Sequence, residues 1–476
     1  MIRGVGGGMA PVLRNLRRGF ASSAMVADQM RAMAAQVPTE VSTMSNGMRV
    51  ASEVRKGTDM VTVGVHLSTG TRFETPETNG AAHFLEHLIF KGSKKYSQGD
   101  IETKAENMGI QLNAYTAREQ TVYFATAMKK DVPLVVDLLG DIILNSKLEK
   151  GAVERERDVI LRELQEVNQQ MDETVFDYLH EVAYQNTPLA NTILGTPENI
   201  QTLTVDDLRN YTKKHYKPHR MVLAAAGAVD HNDLVKLSEK AFGSMEKETD
   251  PITPFDLCTK DPAYVTGSEV RVHNENMPGC HFAIAFESVG WTHPDSVAFV
   301  VLQSLLGNYN RSDGSAQWSN LRLPRSMALH ADHCLSFSSF NTTYTDTGLF
   351  GVYCVAKPPF IHDAVTNITT ELVRNVFKIE EAALERAKAK AKMNVLATLD
   401  GTQAIADEIG RQLHVYGRRM PMTEFFARVD EITTSSMKDI AEQYIYDREI
   451  AVAAMGPVWA LPEYQWMRRR TYWNSY

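Results

Sequence analysis

The chain has no apolar run approaching the ~20 residues that a membrane-crossing helix requires. Its most apolar stretch, Met221 to Val229, has the length of a buried strand. A transmembrane helix of its own is therefore excluded, and any membrane association has to run through partners. Cysteine is scarce: Cys258, Cys280, Cys334 and Cys354 all lie in the second half, with no C-x-x-C pair. That excludes a disulfide framework and a thiolate metal site, and fits buried thiols in a reducing compartment. Acidic residues are absent before Asp28, whereas Arg3, Arg14, Arg17 and Arg18 are present. This composition is that of a mitochondrial transit peptide, expected over residues 1–20. Cleavage after Gly19 and loss of Phe20 would leave Ala21 as the mature terminus. Removing those four arginines takes the formal charge from -8 to -12. Such an acidic balance favours cationic ligands and argues against nucleic acid.

What is present is a soluble globular composition, 43% hydrophobic and 23% charged, in a chain of 476 residues that calls for two or more domains. Residues 21–45 are small, polar and Met-rich and read as an N-terminal arm. Asp59 to Leu67 alternates with period two, as a half-buried strand does. Glu246 to Lys260 is rich in Pro, Asp, Glu and Thr and reads as part of a linker over 246–264. The second half repeats the first. Leu203-Thr204-Val205-Asp206-Asp207-Leu208 leads to Ala224-Ala-Ala-Gly227, as Ile432-Thr433-Thr434-Ser435-Ser436-Met437 leads to Ala453-Ala-Met-Gly456, with the Thr and Gly landmarks both 229 residues apart. Val63 to Gly70 likewise resembles Phe282 to Gly290. A duplicated α+β unit is expected, with one domain over 46–245 and its copy over 265–476.

Chemistry concentrates in the first copy. In His83-Phe84-Leu85-Glu86-His87 two imidazoles stand at i and i+4 with a carboxylate between them, and a helix puts all three on one face. That is a zinc pair with a general base, Glu86, in the inverted order of the HExxH helix. The flanking residues are apolar, so these polar groups need partners. The corresponding stretch of the copy, Ser296 to Leu305, is apolar and carries no His or Glu. A third ligand is expected from a second helix, Val153 to Glu166, where Glu156 and Glu163 are seven residues apart on one face. Glu163 as ligand and Glu156 as its neighbour fit this spacing, and so does a solvated face of ion pairs. From Glu163 to Leu208 there is no Lys or Arg, while nine acids are present. Such a wall would steer cationic peptides, and Glu173 and Asp177, at i and i+4, are placed to clamp one guanidinium. Solubility alone is the competing explanation.

Taken together, His83 to Gly92, Leu112 to Glu119, Arg155 to Glu163, Asp172 to Asp177 and the terminal Arg469-Arg-Thr-Tyr-Trp473 resemble the M16 metallopeptidases. The likeness is strongest to the branch that holds mitochondrial processing peptidases and the core proteins of the cytochrome bc1 complex. It runs from about residue 40 to the end. It implies two homologous α+β domains, each a mixed or antiparallel sheet packed with helices, forming half of a clam shell. It implies one Zn2+ held by His83, His87 and Glu163, with Glu86 activating water and Glu156 supporting the site. Asn113, Ala114 and Tyr115 would lie on an edge strand that pairs with extended substrate. Glu173 and Asp177 would bind the arginine two residues before the cut, and Phe90 would line the pocket for the residue after it. Arg18 and Phe20 have the spacing that these pockets read, so the chain is expected to process its own precursor. The implied function is removal of presequences from imported precursors on the matrix side of the inner membrane. The implied partner is an α subunit with a glycine-rich loop and no metal motif. Gly6-Gly7-Gly8 is not that loop, so this chain matches the metal-bearing β type. Residence among other subunits of respiratory complex III is a further implication. The alternative is a purely structural core subunit without peptidase activity, and the intact ligand set argues against it.

Overall fold

The computed structural model describes residues 37–330 and 334–472. The expected transit peptide, most of the expected arm and Trp473 lie outside the described residues. The first half contains strands β1 (Glu40–Thr43), β2 (Arg49–Val54), β3 (Met60–Leu67), β4 (Gln111–Thr116), β5 (Thr121–Met128) and β6 (Met221–Gly227). Its helices are α1 (Ala81–Leu88), α2 (Gln98–Met108), α3 (Val132–Asn145), α4 (Lys150–Val167), α5 (Met171–Ala183), α6 (Pro197–Thr202), α7 (Val205–His215) and α8 (His231–Phe242). A short helix α9 (Pro254–Lys260) follows, then β7 (Ser268–His273), β8 (Cys280–Val289), β9 (Asn308–Asn310), β10 (Cys334–Thr343), β11 (Thr347–Ala356) and β12 (Ala451–Gly456). The second half's helices are α10 (Ser296–Leu306), α11 (Arg322–Leu329), α12 (Ile361–Phe377), α13 (Glu381–Thr398), α14 (Thr402–Tyr416), α15 (Met422–Glu431), α16 (Thr434–Tyr444) and α17 (Tyr464–Arg469).

The two six-stranded sheets have the orders β1-β2-β6-β3-β5-β4 and β7-β12-β8-β11-β10-β9. In each, one parallel pair (β2 with β6, β7 with β12) joins an otherwise antiparallel sheet. The fold is thus α+β and duplicated. Both sequence landmarks have a physical cause. Thr204 and Thr433 are N-caps of α7 and α16, each accepting a hydrogen bond from the backbone N–H three residues on, of Asp207 at 3.3 Å and Ser436 at 3.1 Å. Gly227 and Gly456 end equivalent strands at φ of +125° and +116°. A Cβ at either would stand within 2.1 Å of the Met60 carbonyl or 2.7 Å of the Gly279 carbonyl, so only glycine fits.

Two expected irregular stretches contain regular structure. The end of the arm, Glu40–Thr43, is an edge strand paired with β2. The connector holds α9, whose first turn is closed by reciprocal bonds between Thr253 and Asp256.

The halves are interlocked by exchanged helices. Helix α5 leaves the first half and lays Val175, Leu179 and Ala183 on Ala283, Ala285, Ala451 and Ala453 of the second sheet. Its counterpart α14 lays Ile405, Ile409 and Leu413 on Ala51, Val222, Ala224 and Ala226 of the first. Alanine-rich strands make this approach close: a Cβ at Gly410 of α14 would sit 2.2 Å from the His66 ring. A charged clamp closes the junction. Arg72 forks onto Asp346 at 2.6 and 2.7 Å and reaches Glu119 at 2.6 Å, while Glu119 accepts the Thr345 N–H at 3.0 Å. This ties the β4–β5 turn to the equivalent β10–β11 turn. Among the described residues no helix is long and apolar enough to cross a membrane.

Candidate metal centre

Helix α1 starts where the sequence breaks at Asn79-Gly80. Gly80, at φ +99°, turns the chain, and its Cα is packed so closely on Gly195 that a Cβ at Gly195 would come within 2.7 Å of it. The N-terminus is capped from outside the helix. Glu74 accepts from Gly80 N at 2.9 Å, Ala82 N at 2.7 Å and Asn79 Nδ2 at 2.9 Å. These bonds satisfy free N–H groups at the positive end of the helix dipole. Burial raises the Glu74 carboxyl to about 7 against the opposing pull of those bonds. No motif spacing points to Glu74; its role exists only in three dimensions.

From that anchor, Ala82, Phe84, Leu85 and Leu88 of α1 face the core, His83 is buried, and Glu86 and His87 are half-buried. The His83 and His87 rings lie 4.8 Å apart, edge to face. Helix α4 presents Val153, Glu156 and Ile160 on its buried face, and Glu163 continues that stripe. This placement buries Glu156 and turns the half-exposed Glu163 toward the two imidazoles. His83 Nε2 is 3.7 Å and His87 Nε2 2.9 Å from the Glu163 carboxylate. One donor atom from each of the three lies within 4.8 Å of the others.

The arrangement fits a metal ion. The donor set is two imidazoles and a carboxylate, with Glu163 Oε2 facing His87 Nε2 and Oε1 facing His83 Nε2. Tetrahedral zinc with bonds of about 2.0 Å separates neighbouring ligand atoms by ~3.3 Å, between the 2.9 and 3.7 Å from Glu163 to the two histidines. His83, then His87, hold the Glu163 carboxyl well below the usual carboxylate range. Burial works against protonation of His87, but the neighbouring carboxylates, Glu163 foremost, outweigh it and raise its pKa.

Glu156 stands behind His87, with Oε2 3.4 Å from Nδ1, and its other oxygen is paired with Lys91 Nζ at 2.8 Å. Lys91 is a residue the sequence did not single out. It neutralises Glu156, which leaves that carboxylate to orient the imidazole. Glu156→Gln is expected to weaken metal binding about 10–100-fold, as losses of such supporting partners do. Competition against a coloured chelator measures it, and unchanged affinity would remove Glu156 from this role.

The other residues singled out in the sequence lie on β4, on α5 and just after α1. β4 ends its sheet, with one side paired to β5 and the other unpaired. Leu112 and Ala114 pack on the α1 side with Phe90. Asn113 is exposed, and its Oδ1 accepts from Ala114 N at 2.8 Å. Tyr115 points to the opposite face and donates to Asp407 of α14. Glu173 is exposed on α5. Asp177 is not a free carboxylate: Arg118 Nη2 holds Oδ1 at 2.8 Å and Thr192 Oγ1 donates to Oδ2 at 3.1 Å. Nor is the wall from Glu163 to Leu208 purely acidic in space. Arg118 enters it from the β4–β5 turn, and Arg157 bonds the Ile200 and Leu203 carbonyls.

Family profiles agree with this architecture. The profile described as Insulinase (Peptidase family M16) matches residues 49–197, and the one described as Peptidase M16 inactive domain matches residues 202–391. The chain belongs to the M16 peptidase family. It is a metallopeptidase of two homologous domains, the second lacking the metal motif. It is 47% identical over 438 residues to the probable mitochondrial-processing peptidase subunit beta of Arabidopsis thaliana, spanning 92% of this chain and 82% of that protein. It is 46% identical to the mitochondrial-processing peptidase subunit beta of Bos taurus, over 90% of this chain and 86% of the bovine one. A chain of complex III2 from Candida albicans, solved with Inz-5 bound, has the same fold, with a TM-score of 0.81 over 91% of this chain and 100% of that one at 23% identity.

Proposed function

We propose that this M16 chain is the metal-bearing β subunit of a zinc endopeptidase that removes presequences from precursors imported into mitochondria, working with an α subunit that carries a glycine-rich loop. The observation that carries the reading is the convergence of His83, His87 and Glu163 within 4.8 Å, next to the open edge of β4. Similarity to β subunits of two mitochondrial-processing peptidases over most of both chains supports the substrate class and the mitochondrial address.

Bound by His83, His87 and Glu163, zinc would supply a Lewis acid and lower the pKa of a water toward ~7. Glu86 takes the proton from the attacking water and hands it to the leaving amine once the carbon–nitrogen bond breaks. Glu156 and Lys91 keep His87 in register. The unpaired backbone groups of β4, at Asn113, Ala114 and Tyr115, hydrogen-bond an extended peptide. Phe90 receives the apolar side chain after the cut, and Glu173 with Asp177 receives the arginine two residues before it.

The test uses protein isolated in mild detergent from its own mitochondria. A peptide spanning Met1 to Met30 is offered to the soluble matrix fraction and to the fraction holding the cytochrome bc1 complex. Chelator-sensitive cleavage after Gly19 is the expected result, and the fraction in which it appears tells whether the peptidase sits in respiratory complex III on the matrix face of the inner membrane. Absence of cleavage from both fractions, with the metal loaded, would overturn the reading in favour of a structural subunit.

A further inference from the structure

We propose that Thr192 is a positioning residue for the substrate arginine, orienting Asp177 through its hydroxyl while its backbone is tied to the start of the metal helix. The proposal rests on the reading of Glu173 and Asp177 as the arginine site. Thr192 follows the short turn Pro188–Ala190. Its carbonyl accepts from Asn79 Nδ2 at 2.9 Å, and the same amide nitrogen donates to Glu74, the cap of α1. Three residues on, Gly195 lies against Gly80 so closely that neither tolerates a Cβ. The loop is therefore fastened to the N-terminus of α1 at two points. Its third attachment is the Thr192 hydroxyl, which donates to Asp177 Oδ2 at 3.1 Å.

This third contact matters because of Arg118. That guanidinium is buried, held by the Leu189 carbonyl at 3.2 Å, and pairs with Asp177 through one oxygen only. A carboxylate that is free to rotate forms a two-pronged pair with arginine. Thr192 holds Oδ2 away from that arrangement. Each Asp177 oxygen then keeps an acceptor position for an incoming guanidinium, beside the exposed carboxylate of Glu173 one turn earlier. Without the hydroxyl, Asp177 turns into the internal Arg118 and the site loses one of its two carboxylates.

The experiment uses the full chain assembled with its glycine-loop partner and two peptides, one with arginine two residues before the cut and one with citrulline, its neutral isostere. Thr192→Val is expected to lower the arginine-over-citrulline preference in kcat/KM about tenfold, the size of one hydrogen bond to a charged group. The change should fall in KM for the arginine peptide, with kcat holding steady. Thr192→Ser should restore the preference, and Thr192→Ala provides a second loss variant should the valine fold poorly. A preference unchanged in both loss variants overturns the proposal, as does an equal loss on both peptides, which marks a merely structural loop. A wild-type enzyme without arginine preference overturns the reading of Glu173 and Asp177 and the proposal with it.

Discussion

Glu86→Gln is expected to keep a full equivalent of metal while kcat falls by about 10²–10⁴, the range that a positioned acid–base group supplies. Glu86 sits on α1 between the two histidines, half-buried, and is not part of the convergent donor set of His83, His87 and Glu163. A glutamine has nearly the same shape and cannot take a proton from water. His87→Ala is the contrasting variant: it removes a donor from the cluster and should lose metal and turnover together. Metal content by atomic absorption, measured beside steady-state cleavage of a presequence peptide, separates the two. Loss of metal from the glutamine variant, or turnover near that of the parent, would sink the assignment of Glu86 as the base.

Arg72→Met is expected to cost about 3–5 kcal/mol of stability, the usual result of removing one partner from a buried ion cluster. Arg72 is 6% exposed and pairs with Asp346 and Glu119 across the junction of the halves. Burial raises the Glu119 carboxyl, and Arg72 opposes that shift, so without Arg72 both Glu119 and Asp346 lose the cation they share at the junction. The exposed pair of Lys236 and Asp233, 3.0 Å apart, is the control: Lys236→Ala should change stability by no more than ~1 kcal/mol. Urea unfolding of the full chain reads both. Equal midpoints for the two variants would mean that the junction is held by its alanine-lined helix packing and not by charge.

Much of the architecture was legible because its causes are local. The threonine landmarks at 204 and 433, the alternation of β3 and the apolar run of β6 each act through residues a few positions apart. The duplication was visible for the same reason: Gly227 and Gly456 meet identical backbone demands at the ends of equivalent strands. The metal motif was legible because α1 alone sets the separation of His83 and His87. Structure hidden in the connector and at the end of the arm escaped because polar, Pro-containing stretches look irregular even where a Thr253–Asp256 cap or an edge pairing organises them.

Partners distant in sequence were not legible. Glu74 belongs to α1 only because the chain folds back on it, and Lys91 belongs to Glu156 only because α1 and α4 cross. Arg118 reaches Asp177 from a hairpin turn 59 positions away, so an acidic stretch that looked uniform along the chain is punctuated by cations in space. By itself, the sequence determined the elements, their repetition and the chemical character of the centre, since periodicity, caps and donor spacing act within one helix or strand. Only the tertiary structure brings the Glu163 carboxylate onto His83 and His87, ties Asp177 to an internal arginine, and locks the two halves. The first outcome depends on α1 and α4 crossing; the others depend on α5 and α14 packing onto the sheet of the opposite half, between residues far apart in sequence.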